Sequence, residues 1–376
     1  MWLVTNHLPT YPLTTFLPLF PKFIYPSTHL PSTFLPYTCR YMLKLSDFDY
    51  DLPKAFIAKY PCEKRDESKL LVVDRRTGKL EHRVFSDITD YFSDSDVLVL
   101  NKTKVIPARL IGRKVTGGKI EVLILGLDRS EIVTVIVKPL KGLKIGNRIF
   151  FEQNFPKQVC DNFCEVVGIE DGAVKLKFSD NVNTILKKYG NIPLPPYIKR
   201  EPTKDDHERY QTVYADECGS VAAPTAGLHF TDEILKKLKS KNVEFADIVL
   251  HISLATFAPV RCENIVKHKM GKEYFEIGQH SVDIINSAKR KVAVGTTSVR
   301  VLETVSQNGK AVSQKGTTDI FIYHGYEFKS VDAMITNFHL PQTTLFMLVC
   351  AFAGRELILS VYEQAKKNNY RFASYG

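Results

Sequence analysis

The sequence lacks a disulfide framework, a zinc-type cysteine pattern and an apolar run of membrane length. Its seven cysteines are scattered and odd in number, and no two of them have C-x-x-C spacing. The longest apolar run near a predicted helix, LFMLVCAFAG at 345–354, has ten residues, whereas a bilayer-spanning helix needs roughly 20. We therefore predict a cytoplasmic protein with no metal site and no membrane partner.

Acidic residues are missing from residues 1–41, where Lys22 and Arg40 are the only Lys or Arg residues. This segment holds seven of the 19 prolines, a density that disfavours both helix and sheet. It does not have the basic start and unbroken apolar stretch of a signal peptide. We predict that residues 1–41 are a disordered extension that buries nothing, upstream of a true start at Met42.

The composition of the chain is that of a globular protein with an excess of positive charge. The 376 residues are 44% hydrophobic, and 51 Lys and Arg against 41 Asp and Glu give a formal charge of +10. This length allows two domains with a sizeable core. The charge suits a polyanionic partner such as a nucleic acid without proving one.

Two sequence patterns divide the chain. Six strand-like segments with glycine turns follow one another between Ala108 and about Phe178, which is typical of a small antiparallel barrel. Strand and helix patterns alternate beyond Lys187, as in an α/β sheet. We predict an α/β fold in which a larger α/β domain (42–107 and 184–376) carries an inserted antiparallel β-barrel domain (108–183).

The stretch GSVAAPTAGLHFTDEIL at 219–235 combines a loop of small residues with a helix start. Thr231 fits the N-cap position, and Asp232 and Glu233 occupy the first helical turn. Because two acids would repel a phosphate, a neutral or cationic ligand suits the loop better. The alternative is a tight turn whose small residues serve packing alone. The candidate binding residues are Ala223, Pro224, Thr225, Ala226 and Gly227, with Gly227 as the point of closest backbone approach.

Three further predicted strands end in polar residues, at the edge where open α/β sheets bind ligands. KVAVGTTSVRVLETV gives Gly295, Thr296, Thr297, Ser298 and Arg300; DIVLHISLATFAPV gives His251 and Thr256; AMITNFHLPQTTLF gives Asn337 and His339. Each group has a competing interpretation. A hydroxyl residue can serve as a helix cap, Arg300 can form a solvated pair with Glu303, and a histidine can be purely structural.

The segment KKYGNIPLPPYIKRE is the best candidate for RNA contact. Its prolines favour a rigid extended path, Tyr197 offers a stacking face, and Lys199 and Arg200 offer phosphate contacts. A merely solubilising surface is the alternative.

Long motifs in this sequence closely resemble the S-adenosylmethionine:tRNA ribosyltransferase-isomerase family of queuosine biosynthesis. They are DYDLPKAFIAKYPCEKRDESKLLVV, RYQTVYADECGSVAAPTAGLHFT, VAVGTTSVRVLE and TDIFIYHGYEFKSVDAMITNFHLPQTTLFMLVCAFAG, and the resemblance runs from Met42 to the end of the chain. It implies a monomeric enzyme with a β-barrel inserted in an α/β domain. It also places Arg209, Tyr210 and Gln211 in the substrate site.

The resemblance implies a reaction as well. The ribosyl part of S-adenosylmethionine is moved onto a 7-aminomethyl-7-deazaguanine base at the wobble position of tRNA, which gives epoxyqueuosine, adenine and methionine. Asp232 and Glu233 would suit the sulfonium cation. Removal of the proton beside the sulfonium needs a base, for which His229, His251 and His339 are candidates with Asp319 behind them.

The sequence departs from the family pattern at several positions. Ser253 and Ala255 replace glycines, His324-Gly325 replaces a Pro-Gly pair, and the chain ends at FASYG, short of the few residues that usually follow. The added Cβ atoms would narrow the site. The rival functions are a non-catalytic tRNA-binding protein and an S-adenosylmethionine-dependent RNA methyltransferase, although a methyltransferase's Gly-rich loop is not visible.

Overall fold

The computed structural model describes residues 1–5, 43–126, 131–151, 161–170, 172–253, 260–373 and 375. Its strands are β1 Trp2–Thr5, β2 Lys69–Asp74, β3 Leu80–Val84, β4 Asp96–Asn101, β5 Thr103–Val105, β6 Arg109–Lys114, β7 Lys119–Ile124, β8 Ile132–Lys138, β9 Arg148–Phe150, β10 Phe163–Glu170, β11 Ala173–Phe178, β12 Gly190–Asn191, β13 Glu217–Ser220, β14 Glu244–Leu250, β15 Glu273–Ile277, β16 Arg290–Val294, β17 Ser306–Gln307, β18 Lys310–Ala311, β19 Gln314–Thr318 and β20 Ala333–Thr336. Its α-helices are α1 Val182–Tyr189, α2 Asp206–Arg209, α3 Asp232–Ser240, α4 Gln279–Ser287, α5 Gly295–Val305, α6 Thr344–Ala353 and α7 Arg355–Lys367.

A nine-stranded sheet in the order β19-β15-β14-β4-β16-β20-β1-β2-β3 forms the body of the molecule. Its central strands β14, β4, β16 and β20 are mutually parallel. Their carboxyl ends therefore lie along one edge of the sheet, which is where ligands bind in open α/β sheets.

Each face of this sheet carries its own hydrophobic core. Along β4, Val97 and Val99 point into a core with α4 to α7, and Leu98 and Leu100 point into a second core with α3. Because side chains alternate along a strand, such a continuous apolar run is what a strand covered on both faces requires. The sheet is thus covered by helices on both faces.

The second sheet closes into a six-stranded antiparallel barrel. Its strand order is β6-β7-β8-β11-β10-β9, and β6 pairs with β9 to close the ring. All six barrel strands predicted from the sequence are present, and the predicted fold class is confirmed. The boundaries placed at 108 and 183 stay a prediction.

The interpretation of residues 1–41 as an extension that buries nothing is wrong for residues 1–5. β1 lies inside the large sheet, antiparallel to β20 and parallel to β2, and Trp2 is fully buried. Residues 1–4 are apolar and precede the first proline, Pro9. Burial also lowers the pKa of the Met1 ammonium to about 5, so the terminus enters the sheet uncharged at neutral pH. Residues 6–41 lie outside the described part of the chain.

Within the described residues, no single helix is long and apolar enough to cross a membrane. α6 and α7 meet that test only as a pair, and they are bent by 112° relative to each other. α6 is the buried core helix that its sequence predicts.

Candidate ligand-binding site

A cavity of about 310 Å³ lies at the carboxyl edge of β16 and β20, which is within the usual size range of small-molecule sites. No Asp, Glu, Lys or Arg is among the described residues around it. Its lining comprises Pro196, Tyr197, Ala223, Pro224, Thr225, Ala226, Ile252, Gly295, Thr296, Thr297, Thr336, Asn337, Phe338, His339, Leu340, Thr343, Leu345 and Ala373.

One wall is the junction between β16 and α5. Gly295 has a φ of +85°, a conformation that L-residues with a Cβ rarely adopt. The helix begins at Gly295 with no side-chain cap, so its first amides have no partner within the helix. Thr297 Oγ1 is buried without a hydrogen-bond partner among the described residues. This wall therefore offers hydrogen-bond donors to a ligand.

A second wall is the small-residue loop 223–226. Thr231 caps α3 as predicted, since its hydroxyl accepts a hydrogen bond from Ile234 N at 3.3 Å. Asp232 and Glu233 are exposed and do not line the cavity. The structure therefore does not bring these two carboxylates to the lining of the cavity.

Gly227 does not line the cavity either. A Cβ at this position would lie 2.0 Å from Tyr214 Oη and 2.8 Å from Thr212 Cγ2. The space that glycine leaves is thus filled by Tyr214, which corrects the interpretation of Gly227 as the point of ligand approach. Its small size serves packing.

A chain of buried hydrogen bonds links three candidate residues. His229 Nδ1 lies 3.2 Å from Arg65 O, which can only accept, so Nδ1 carries the proton. Asn337 Nδ2 then donates to His229 Nε2 at 3.4 Å, and Thr225 Oγ1 donates to Asn337 Oδ1 at 2.8 Å. Burial lowers the pKa of His229 to about 3. His229 is therefore a neutral residue that holds the Asn337 amide in place.

His339 is the one candidate histidine that lines the cavity. Its Nε2 lies 2.9 Å from Thr336 Oγ1. Its backbone is fixed as well, because its N–H donates to Tyr362 Oη at 3.1 Å and its carbonyl accepts from Tyr50 Oη. Burial lowers the pKa of His339 to about 3. The ring is therefore neutral at physiological pH.

His251 and Asp319 lie away from the cavity lining. His251 stacks on Tyr274 with ring centroids 5.5 Å apart, and its Nδ1 lies 2.8 Å from Thr103 Oγ1. Burial lowers its pKa. Asp319 is exposed at the end of β19. The sequence leaves four catalytic candidates unranked. In the structure, only His339 among the four lines the cavity.

The remaining substrate candidates hold the framework together. Gln211 exchanges two hydrogen bonds with the backbone of Val105, and Ser298 Oγ donates to Val294 O. Arg209 donates to Cys62 O and Glu63 O, and Tyr210 is buried edge-on against Tyr375. These side chains do not line the cavity. Thr256 and Ala255 lie outside the described residues.

Arg300, a substrate candidate, forms a buried ion pair with Glu273, and not the solvated helix pair with Glu303 that was the competing interpretation. The second oxygen of Glu273 accepts from Ser253 N at 2.8 Å. Glu303 instead accepts from Tyr326 and from three backbone amides at 329–331. Arg300 therefore fixes the backbone that leaves β14, close to Ile252 of the cavity.

The three candidates for tRNA contact have different environments. Tyr197 lines the cavity, and Lys199 is exposed. Arg200 makes a bidentate pair with Asp206 at 2.6 and 2.8 Å, and its guanidinium lies 4.4 Å from the Tyr60 ring centroid. Because this guanidinium is committed to a buried carboxylate, it is not free to contact phosphate.

Sequence reasoning missed several lining residues. Thr336, Phe338 and Leu340 flank Asn337 and His339, so their position beside a strand end was the available signal. Ala373 reaches the site because its N–H donates to Phe338 O at 3.0 Å, a long-range contact without a local signal. Among the described residues, no group of three or more His, Cys, Asp or Glu could hold a metal ion.

Comparisons with known proteins identify the family to which the chain is similar. A family model described as "Queuosine biosynthesis protein" matches residues 45–376. S-adenosylmethionine:tRNA ribosyltransferase-isomerases of Sulfurihydrogenibium sp. and Carboxydothermus hydrogenoformans are 50% and 49% identical to this chain, with 89% of this chain and 98% of each relative covered. The crystal structure of an S-adenosylmethionine tRNA ribosyltransferase from Thermotoga maritima is 36% identical with a TM-score of 0.49, covering 88% of this chain and 98% of the other.

Proposed function

The chain belongs to the queuosine biosynthesis protein family, and from this premise we propose how it acts. It is a transferase that moves and isomerises the ribosyl part of S-adenosylmethionine on tRNA in queuosine synthesis. The acceptor is a 7-aminomethyl-7-deazaguanine base at the wobble position. Epoxyqueuosine, adenine and methionine are the products, and the enzyme works as a cytoplasmic monomer.

S-adenosylmethionine occupies the cavity between the β16 and β20 exits. The observation that carries this assignment is that parts of three family motifs, APTA at 223–226, GTT at 295–297 and TNFHL at 336–340, converge on one cavity. The amides of Gly295 and Thr296 and the hydroxyls of Thr296 and Thr297 donate to the carboxylate or ribose oxygens of the donor. The ring of Tyr197 faces the sulfonium, which a π-face attracts in the absence of a lining carboxylate.

His339 is the proton acceptor. The reaction begins with removal of a proton from the carbon beside the sulfonium sulfur, and the base must lie within hydrogen-bond reach of that carbon. His339 lines the cavity and is neutral at physiological pH, so it can accept a proton there. A pKa of about 3 makes it a weak base in the free enzyme, so it depends on the acidity that the sulfonium gives the adjacent C–H bond.

His229 is a positioning residue. It holds Asn337 Nδ2, so the side-chain amide of Asn337 cannot rotate and its position against the donor is fixed. Preorganised polar groups of this kind stabilise a transition state without reorganising during the reaction.

Lys199 is the phosphate contact on the loop that also carries Tyr197. This lysine is exposed and follows Tyr197 of the cavity lining by two residues. The bound anticodon then approaches the donor from this side, and binding weakens with salt because phosphate contacts release counterions.

One assay separates the proposed reaction from its rivals. The protein is incubated with S-adenosylmethionine and tRNA that carries the precursor base, and the small molecules and digested nucleosides are analysed. Adenine and methionine together with a modified nucleoside indicate ribosyl transfer. S-adenosylhomocysteine would indicate a methyltransferase, and retained tRNA without turnover would indicate a binding protein.

A further inference from the structure

The N-terminal strand β1 reaches the candidate site from outside the family match. The family model begins at residue 45, whereas Trp2–Thr5 lies inside the sheet, between β20 and β2. β1 runs antiparallel to β20 and pairs Trp2 with Thr336. The first residues of the chain are thus placed at the sheet edge that holds the cavity.

Trp2 contacts the segment that leaves β20. Its indole Nε1–H donates to Asn337 O at 2.9 Å, and both groups are buried. Its ring stacks on Phe338 with centroids 5.9 Å apart and planes 11° apart. Trp2 therefore fixes both the carbonyl of Asn337 and the ring of the next residue.

The same indole also packs on a residue that holds His339. Trp2 meets Tyr362 edge-on at 5.9 Å, and Tyr362 Oη accepts the backbone N–H of His339. Asn337, Phe338 and His339 are thus each in contact with Trp2 or with its direct neighbour. No described atom of Trp2 lines the cavity, so its influence on a ligand is exerted through these three residues.

We propose that Trp2 is a positioning residue for the donor site, delivered by a strand that is not part of the family match. The proposal rests on the proposed function, because the Asn337–His339 segment is assigned there to the donor. It reverses the expectation that residues 1–41 bury nothing. Without β1, the edges of β20 and β2 would lose their ladder partner and Asn337 O its indole donor.

The test compares Trp2→Phe with Val4→Ala. Phenylalanine keeps an aromatic ring against Phe338 and Tyr362 but cannot donate to Asn337 O. Val4 is buried on the same face of β1, two residues further from the site, and carries no polar side-chain group, so Val4→Ala reports the cost of lost packing alone. Single-turnover adenine release, calorimetry with S-adenosylmethionine and the Tm are measured for both variants.

We expect Trp2→Phe to slow adenine release by about 3- to 10-fold, the effect of one net hydrogen bond on a rate. Val4→Ala should lower the Tm and leave the release rate within about 2-fold, since only packing is lost. A release rate for Trp2→Phe equal to that of the wild type, or an equal loss in Val4→Ala, would overturn the proposal.

A chain that begins at Met42 provides a second test. We expect it to have a lower Tm and slower adenine release than the full chain, and full stability with full activity would contradict the role of β1. Failure of the proposed function looks different, because the wild type itself would then release no adenine. In that case, an unchanged affinity of Trp2→Phe for S-adenosylmethionine would overturn the positioning role, and a weakened affinity would support it.

Discussion

The segments that leave β14 and β20 each carry a histidine, but the two histidines have different surroundings. His251 follows β14, and His339 follows β20. Both strands are parallel members of one sheet, yet His339 lines the cavity while His251 stacks on Tyr274. Strand order explains the difference. β20 lies beside β16, whose exit forms the opposite wall, whereas β14 is separated from β16 by β4.

The backbones at the two exits are also supported differently. The β20 exit is fixed by Tyr50, Tyr362 and Trp2 through hydrogen bonds to His339 and Asn337. The β14 exit is fixed at Ser253 N by the Glu273 carboxylate, which Arg300 balances. The first arrangement aims an imidazole at the cavity, and the second anchors a loop beside it. Of these two histidines, only His339 thus lies in the lining of the cavity.

The largest expected effect is that of His339→Gln. Glutamine is polar and similar in volume to histidine, but it cannot accept the proton. Adenine release should therefore fall by roughly 10²–10⁴-fold. The affinity for S-adenosylmethionine should change much less. Single-turnover kinetics and calorimetry separate these effects, and a normal release rate would show that another residue is the base.

Asn337→Ala should affect the segment that leaves β20 by removing a side-chain amide instead of the proposed base. It leaves Nε2 of buried His229 without its donor, which costs about 1–3 kcal/mol of stability. Because the amide also faces the cavity, donor affinity should fall as well. Chemical denaturation and calorimetry report the two losses. Loss of stability with full donor affinity would limit Asn337 to a structural role.

The pH dependence distinguishes the buried histidines from an ordinary one. His229 and His339 have folded pKa values of about 3, below the usual 6.5, so the unfolded state binds more protons between these values. Stability should therefore fall as the pH is lowered from about 6.5, by up to about 1.4 kcal/mol per pH unit and histidine. Adenine release should show no titration near pH 6.5. An inflection at that pH would contradict the assignment of His339 as the base.

His251→Gln is expected to have the smallest effect. The change removes a ring that stacks on Tyr274 and a contact with Thr103 outside the cavity, so turnover should stay within about 3-fold of the wild type. His339→Gln is the matched comparison at the other exit. If His251→Gln lost 10²-fold or more of its turnover, His251 and not His339 would be the candidate for the base.

Much of this site follows from local sequence rules. Alternating apolar residues predict the six barrel strands, and Thr231 caps α3 as expected. Thr343 caps α6 in the same way. Polar residues after apolar runs also locate the sheet edge that holds the cavity. These features depend on neighbours within a few positions along the chain.

Long-range packing accounts for what the sequence leaves open. The burial of Gly227 against Tyr214, the pairing of Arg300 with Glu273 and the link from His229 to Asn337 join residues that no spacing rule connects. β1 has a weak local signal, the apolar run MWLV before the first proline, but the proline-rich composition of the following residues dominates the interpretation. The composition of these residues cannot show that the large sheet has a position between β20 and β2 for a further strand.

A structure of the protein with S-adenosylmethionine bound tests the central claim most directly. We predict the donor between Gly295–Thr297 and Asn337–His339, with its sulfonium within about 6 Å of an aromatic ring centroid and its 5′ carbon in reach of the His339 imidazole. The His251 ring should make no contact with it. A donor bound against His251 at the β14 exit, with the cavity beside His339 empty, would contradict the account.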